Sequence, residues 1–294
     1  MTTFLNFPAC LSLTALDADF AILGIPFCQP YGAEEPANDQ HNAPAAIRRE
    51  SERLSLGLDR WDFDIDATLA DFRVADCGDL PAAGWDASGR AEHTVRAILE
   101  RDAIPIILGG DHGVPIPVLR AFGGRPPLTV VQVDAHLDWR DERNGVREGY
   151  SSPMRRAAEM PHVSGIVQVG IRAQGSAGAD EVRAARAYGA RIITAYEVHA
   201  HGMAHVLENI PDGGRYYLTI DADGLDPSVM PAVAGPAAGG LWFHQVRDLI
   251  CGLSRKGRLV GMDIVEITPS RDVNGISAIT AGQLIVNFIG HARR

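Results

Sequence analysis

Three short stretches carry side chains suited to binding cations: Gly109-Gly110-Asp111-His112-Gly113, Asp134-Ala135-His136-Leu137-Asp138 and Asp221-Ala222-Asp223-Gly224-Leu225-Asp226-Pro227. Alternate positions of an extended segment point to one side, so Asp134, His136 and Asp138 should share a face, as should Asp221 and Asp223. Groups of this kind packed together without a cation would repel one another and lose hydration at high cost, and a metal resolves that conflict. His112 follows paired glycines that permit a tight turn, whereas Asp226 before Pro227 reads as a turn former. The set His112, Asp134, His136, Asp138, Asp221 and Asp223 is rich in oxygen donors, has some imidazole and lacks thiolate, a mixture that favours Mn²⁺ or a similar ion over structural zinc. It also exceeds what one catalytic ion takes while keeping an open position, so two ions sharing bridging carboxylates fit it.

Such ligands need strands to hold them. Apolar, β-rich runs recur at Phe20 to Ile25, Phe72 to Ala75, Ile104 to Leu108, Thr129 to Val133, Ile166 to Val169, Arg191 to Thr194, Tyr216 to Ile220 and Leu259 to Ile264. Between most of them lie stretches with apolar residues at helical spacing, at Arg90 to Arg101, Asp180 to Ala187, Glu197 to Glu208, Phe243 to Ser254 and Ala278 to Ala292. The alternation predicts an α/β fold of one domain over residues 1–294, with helices on both faces of a mostly parallel sheet. Gly- and Pro-rich pieces at Ile25 to Pro36, Phe122 to Pro127 and Gly224 to Gly240 read as shaped loops. In such a sheet ligands bind beyond the strand C-termini, which is where the candidate residues fall.

Bulk properties narrow the function classes. A net charge of −10 and a pI near 5.4 argue against nucleic acid as a partner, because phosphate binding needs clustered Lys and Arg. No apolar run is long enough for a membrane span, and the first residues lack the pattern of an export signal, so the expectation is a cytoplasmic protein with no membrane partner. Cys10, Cys28, Cys77 and Cys251 form no CxxC pair and are expected as reduced thiols in a core.

The ordered motifs GGDHG, DAHLD and DADGLDP resemble the metal-binding signatures of the ureohydrolase (arginase/agmatinase) family, and Asp263-Ile264-Val265-Glu266-Ile267-Thr268-Pro269 resembles its fourth element. The similarity runs from about Ala21 to the C-terminus. It implies an arginase-like, three-layer α/β/α fold around an eight-stranded sheet. It also implies two Mn²⁺ per chain, with Ni²⁺ or another divalent ion as alternatives, and a homo-oligomer, trimeric or hexameric. By the same resemblance His112, Asp134, Asp138 and Asp221 hold one ion, and Asp134, His136, Asp221 and Asp223 the other. Water bridging two such ions loses its proton near neutral pH and can attack a guanidinium carbon that free water attacks too slowly. Asp138 then accepts a hydrogen bond and passes a proton, while Glu266 grips the guanidinium. The products are urea and an amine. The implied activity is agmatinase-like, with guanidino-acid (guanidinobutyrase-like) or formimidoylglutamase-like activity as alternatives.

The sequence departs from that pattern at Tyr150, which stands where family members commonly carry a proton-shuttling His. A phenol, with a pKa of about 10, donates a hydrogen bond but shuttles protons poorly at pH 7. His162 is a possible substitute, and Val233 to Ala237 lacks the acid-bearing loop usual in agmatinases. The run Trp139 to Arg147 is a candidate wall of the substrate mouth, with Trp139, Arg140 and Ser151 as candidate contacts. Its three arginines suit a substrate with a distal carboxylate, although Asp141, Glu142 and Glu148 are interleaved with them. Two further readings stay open: a single-zinc deacetylase on the same fold, and a non-catalytic partner subunit of an active homologue.

Overall fold

The computed structural model describes residues 2–32, 38–81 and 86–292. Eight strands form one sheet: β1 (Phe20–Ile25), β2 (Val74–Asp79), β3 (Ile104–Gly109), β4 (Leu128–Val133), β5 (Val163–Ile171), β6 (Arg191–Thr194), β7 (Arg215–Asp221) and β8 (Arg258–Val265). Their order across the sheet is β2-β1-β3-β8-β7-β4-β5-β6, and every neighbouring pair is parallel. Each strand expected from the sequence is present, and the sheet is wholly rather than mostly parallel. A separate antiparallel ribbon pairs Trp61–Asp62 with Ala67–Thr68. Part of the loop expected over Ile25 to Pro36 lies outside the described residues.

Burial on both faces explains the continuous apolar runs. In β1, Phe20 and Ile22 join one core cluster while Ala21, Leu23 and Ile25 join the other, and β4 divides likewise, with Val131 and Val133 opposite Leu128 and Val130. This is the two-residue period of a pleated strand with a hydrophobic layer on each side. The first layer is covered by α1 (Ala43–Ser51), α6 (Ala195–Glu208), α7 (Phe243–Lys256) and α8 (Ile276–Ala292). The second is covered by α2 (Asp86–Glu100), α3 (Pro115–Arg120), α4 (Pro153–Ala158) and α5 (Ala179–Tyr188). On α7 the buried Val246, Leu249, Ile250 and Leu253 repeat at three-and-four spacing, and each such side chain contributes about 1.5–3 kcal/mol by leaving water.

Helices α1, α3 and α4 were not expected. Each has a proline in its first turn, where the missing N–H is no loss and the fixed φ suits a helix start. The cysteines form no disulfide among the described residues, as expected, but are half-buried rather than fully in the core. Among the described residues no helix is long and apolar enough to cross a membrane.

Candidate metal centre

The candidate ligands gather where β3, β8, β7 and β4 end side by side. His112 sits in the turn between β3 and α3, Asp134 directly after β4, Asp221 at the last position of β7, and Glu266 directly after β8. Gly110 must be glycine here, since a Cβ would lie 1.6 Å from the Phe27 carbonyl oxygen.

A local hydrogen bond sets the spacing within each motif. The Asp134 carboxylate accepts from the backbone N–H of His136 at 2.6 Å, and Asp221 accepts from that of Asp223 at 2.9 Å. Both are Asx turns, in which a short carboxylate bends the chain and fixes the residue two positions on. The shared side expected from extended backbone is therefore produced by turns; residues 222–224 form a single 3₁₀ turn.

Two clusters result, His112 with Asp134 and Asp221, and Asp134 with His136 and Asp223, each with donor atoms within 4.8 Å of one another. Around His112 Nδ1, carboxylate oxygens of Asp138, Asp134 and Asp221 lie at 2.9, 3.1 and 3.1 Å. That nitrogen is fully buried and makes no hydrogen bond of acceptable geometry, although three oxygens face it. His136 Nδ1 lies 3.1 Å from Asp223 and 3.6 Å from Asp134, and its side chain keeps 28% exposure, so the second cluster is the more open one.

Electrostatics give the same answer. Burial opposes a charge on His112, but the carboxylates of Asp134, Asp138 and Asp221 around it outweigh that and raise its pKa well above the usual value. Asp134, then Asp223, push His136 up to about 12. Burial would raise Asp134, yet His112 and His136 hold it below the ordinary carboxylate range. Burial and then Asp134 lift Asp138 to about 7, and burial and then Asp223 raise Asp221 well above its usual value. Without metal the site therefore collects protons to offset its acids, and divalent cations would take their place. An orphaned buried nitrogen among carboxylates, with no thiolate, fits that group of ions.

Behind the ligands lies a set of polar side chains to which the sequence reading gave no role. His112 Nε2 is 3.0 Å from Thr219 Oγ1, and Thr219 donates its proton to Asp263 at 2.6 Å. The hydroxyl thus accepts from Nε2–H, which turns Nδ1 toward the acids. Tyr217 donates to the other Asp263 oxygen at 2.7 Å, and burial raises the Asp263 carboxyl to about 6. Gln132 donates to Asp134 at 2.5 Å and accepts from Gln168 at 2.6 Å. A signal was present in the sequence: Gln132, Gln168, Thr219 and Asp263 are polar residues within largely apolar strands, and Gln132 and Thr219 stand two positions before a candidate ligand.

Glu266 is held from two sides. One carboxylate oxygen accepts from the His112 backbone N–H at 2.8 Å, and the other accepts from the side-chain amide of buried Gln40. Burial, then the Asp111 carboxylate, push its pKa to about 8. Its φ of 66° and the φ of 49° at Asp138 put both residues in the left-handed region, a strain of about 1–3 kcal/mol each that the surrounding contacts sustain.

The remaining expectations fare unequally. Tyr150 packs on Tyr31 with ring centroids 4.6 Å apart, and Arg143 lies over the Tyr31 ring and donates to the Tyr150 hydroxyl at 3.4 Å. Ser151 is buried, bonded to the Tyr31 hydroxyl at 2.8 Å. Trp139 is a correction: at 2% exposure it belongs to the core beside Tyr188 and lines no mouth. Arg140 is occupied by Glu181 and the Ser176 carbonyl, and Arg147 by Asp141. His162 precedes β5, at the opposite end of the sheet from the ligands, and bonds the Leu119 carbonyl, so it does not replace a shuttle. Asp226 is the turn former it was read to be, accepting from Ser228, Gly239 and Gly240.

A parallel α/β/α sheet with paired His/Asp clusters at its C-terminal edge and a buried carboxylate beside them defines a class of hydrolase that acts on C–N bonds of amidines. The chain belongs to the arginase family, whose model matches residues 18–290. It is 31% identical to an agmatinase of Pyrococcus horikoshii over 95% of this chain and 93% of the relative. It is 30% identical to a guanidinobutyrase of Pseudomonas aeruginosa, covering 98% and 91%. Among solved structures, the proclavaminate amidino hydrolase of Streptomyces clavuligerus superposes with a TM-score of 0.84 at 27% identity, covering 100% of this chain and 97% of that one. The protein is accordingly an arginase-family hydrolase acting on guanidino compounds.

Proposed function

We propose that this enzyme hydrolyses a small linear guanidino compound to urea and an amine, in the manner of an agmatinase, with two divalent ions, Mn²⁺ foremost. The observation that carries this reading is Asp134 standing in both His/Asp clusters, with Glu266 tied to the His112 backbone beside them. His112, Asp134, Asp138 and Asp221 would hold one ion, and Asp134, His136, Asp221 and Asp223 the other. Bound there, the ions supply an acidified water as the nucleophile at neutral pH.

The chain's own groups do the rest. Glu266 is a carboxylate reluctant to ionise until a cation arrives, and a planar guanidinium is that cation; a two-pronged pair orients its carbon toward the clusters. Asp138, beside His112 at the edge of the clusters, would take a proton and hand it to the departing amine. Tyr150, held by Tyr31 and Arg143, contributes a hydrogen bond rather than a proton shuttle. A guanidino acid is the second candidate substrate, favoured by Arg143 beside Tyr150 and by the absence of any acid from Ala173-Gln174-Gly175-Ser176-Ala177, where a Cβ at Gly175 would come within 3.4 Å of His136.

Urea release by Mn²⁺-loaded protein from agmatine and from 4-guanidinobutanoate tests the reading. Turnover of at least one is expected; silence on both with two ions bound would overturn the agmatinase-like and guanidinobutyrase-like readings. Glu266→Gln should lower kcat/KM about 10–100-fold, mostly through KM, the effect of losing one charged hydrogen-bonding partner. Unchanged kinetics would remove Glu266 from guanidinium binding.

A further inference from the structure

Arg172, the residue after β5, is 5% exposed, and among the described residues its guanidinium donates only to main-chain carbonyls. Nη2 reaches Asp223 at 2.6 Å, Ala237 at 2.7 Å and Leu225 at 3.4 Å; Nη1 reaches Gly170 at 3.1 Å and Gly224 at 3.3 Å; Nε reaches Ala238 at 3.2 Å. Its own backbone N–H donates to the Ala135 carbonyl at 3.0 Å. One residue thus joins the β4 ligand segment, through Ala135 between Asp134 and His136, to the β7 ligand segment, through Asp223 and its neighbours. The two segments touch directly as well. Ala135 N–H donates to the Asp223 carboxylate at 3.2 Å, and a Cβ at Gly224 would lie 2.7 Å from Asp134 N.

The two clusters differ in what holds them. His112 is oriented by Thr219 of β7 and Asp263 of β8, the latter on the far side of β7 from Arg172. His136 and Asp223 come from segments that Arg172 fastens together. Its buried positive charge also lies close to Asp223, Asp134, Asp226 and Asp221. We infer that Arg172 is a positioning residue for the second, more open ion site, setting the separation of His136 and Asp223 without touching ion or substrate. Lysine keeps the charge, but its three donors spring from one atom and cannot span the carbonyls that Nε, Nη1 and Nη2 reach.

This inference rests on the two-ion reading, and the test separates the two. Wild-type protein and the Arg172→Met and Arg172→Lys variants are reconstituted with Mn²⁺, assayed for bound metal, and examined by electron paramagnetic resonance, with circular dichroism to check folding. Wild type should hold two ions with the spectrum of a coupled pair. Arg172→Met should hold one, with the spectrum of an isolated ion and unchanged affinity for it. Arg172→Lys should bind the second ion about 10–100-fold more weakly while the first is unaffected, the usual penalty for losing support behind a ligand. Two ions at wild-type affinity in Arg172→Met overturn the inference. Should that variant not fold, Arg172→Lys decides alone, and equal weakening of both ions, or of neither, overturns it. Fewer than two ions in the wild type overturns the two-ion reading itself and takes this inference with it.

Discussion

His112 and His136 occupy a position that a proton and a divalent cation must contest. Their pKa values are raised in the metal-free protein by the acids that would share a metal with them, so at neutral pH each holds a proton that must leave before its nitrogen can ligate. Metal affinity should therefore rise with pH, and loading should release protons. Titration calorimetry at pH 7 in buffers of different ionisation enthalpy measures this; at least about one proton per chain is expected, and none released would contradict the clusters as the binding site. At this scale the gathering of the His and Asp side chains was legible because carboxylates and imidazoles at two-residue spacing after apolar strands have little other use. Thr219, Gln132 and Arg172 were not read. Each is an ordinary strand or loop residue until its partners are known, and those partners lie 107, 2 and 51 positions away, for His112, Asp134 and the Asp223 carbonyl.

The strands were visible as apolar runs because burial on both faces leaves no polar alternation to obscure them. The short helices were hidden for the opposite reason. The six residues of α3, Pro115–Arg120, and of α4, Pro153–Ala158, span less than two turns and offer no period to detect. Strand ends were harder still, since β5 begins three residues before its apolar run and continues two beyond it, to Ile171. The turn after β3 gives a prediction about an element. Gly110→Ala pushes a methyl into the Phe27 backbone and should lose about 1–3 kcal/mol, as overpacking does, and weaken metal binding by displacing His112. Gly89→Ala in α2 has nothing within 4 Å of its Cβ and should instead gain roughly 0.4–1 kcal/mol. Thermal melts of both variants check the contrast, and equal melting points would discount the close approach at Gly110.

Across the whole molecule, acids drawn into one buried site make the metal-free fold the weaker one. At a free-ion concentration about a hundred times Kd, a bound ion adds about 2.7 kcal/mol. Chelation should thus lower Tm and Mn²⁺ restore it; a Tm indifferent to both would mean that the centre does not bind. The alternation of strands and helices announced the layered architecture, but nothing in a single chain revealed the order of the strands. That order makes β8 a keystone. It is the last strand made, yet it sits between β3 and β7 and bonds to both. A nascent chain lacking it has two half-sheets, β2-β1-β3 carrying His112 and β7-β4-β5-β6 carrying Asp134, His136, Asp138, Asp221 and Asp223, each with a bare edge where the other should be. The cluster that includes His112 is thus divided until the final strand slides into the gap, so its completion should come at the end of folding, whereas Asp134, His136 and Asp223 already share one half-sheet.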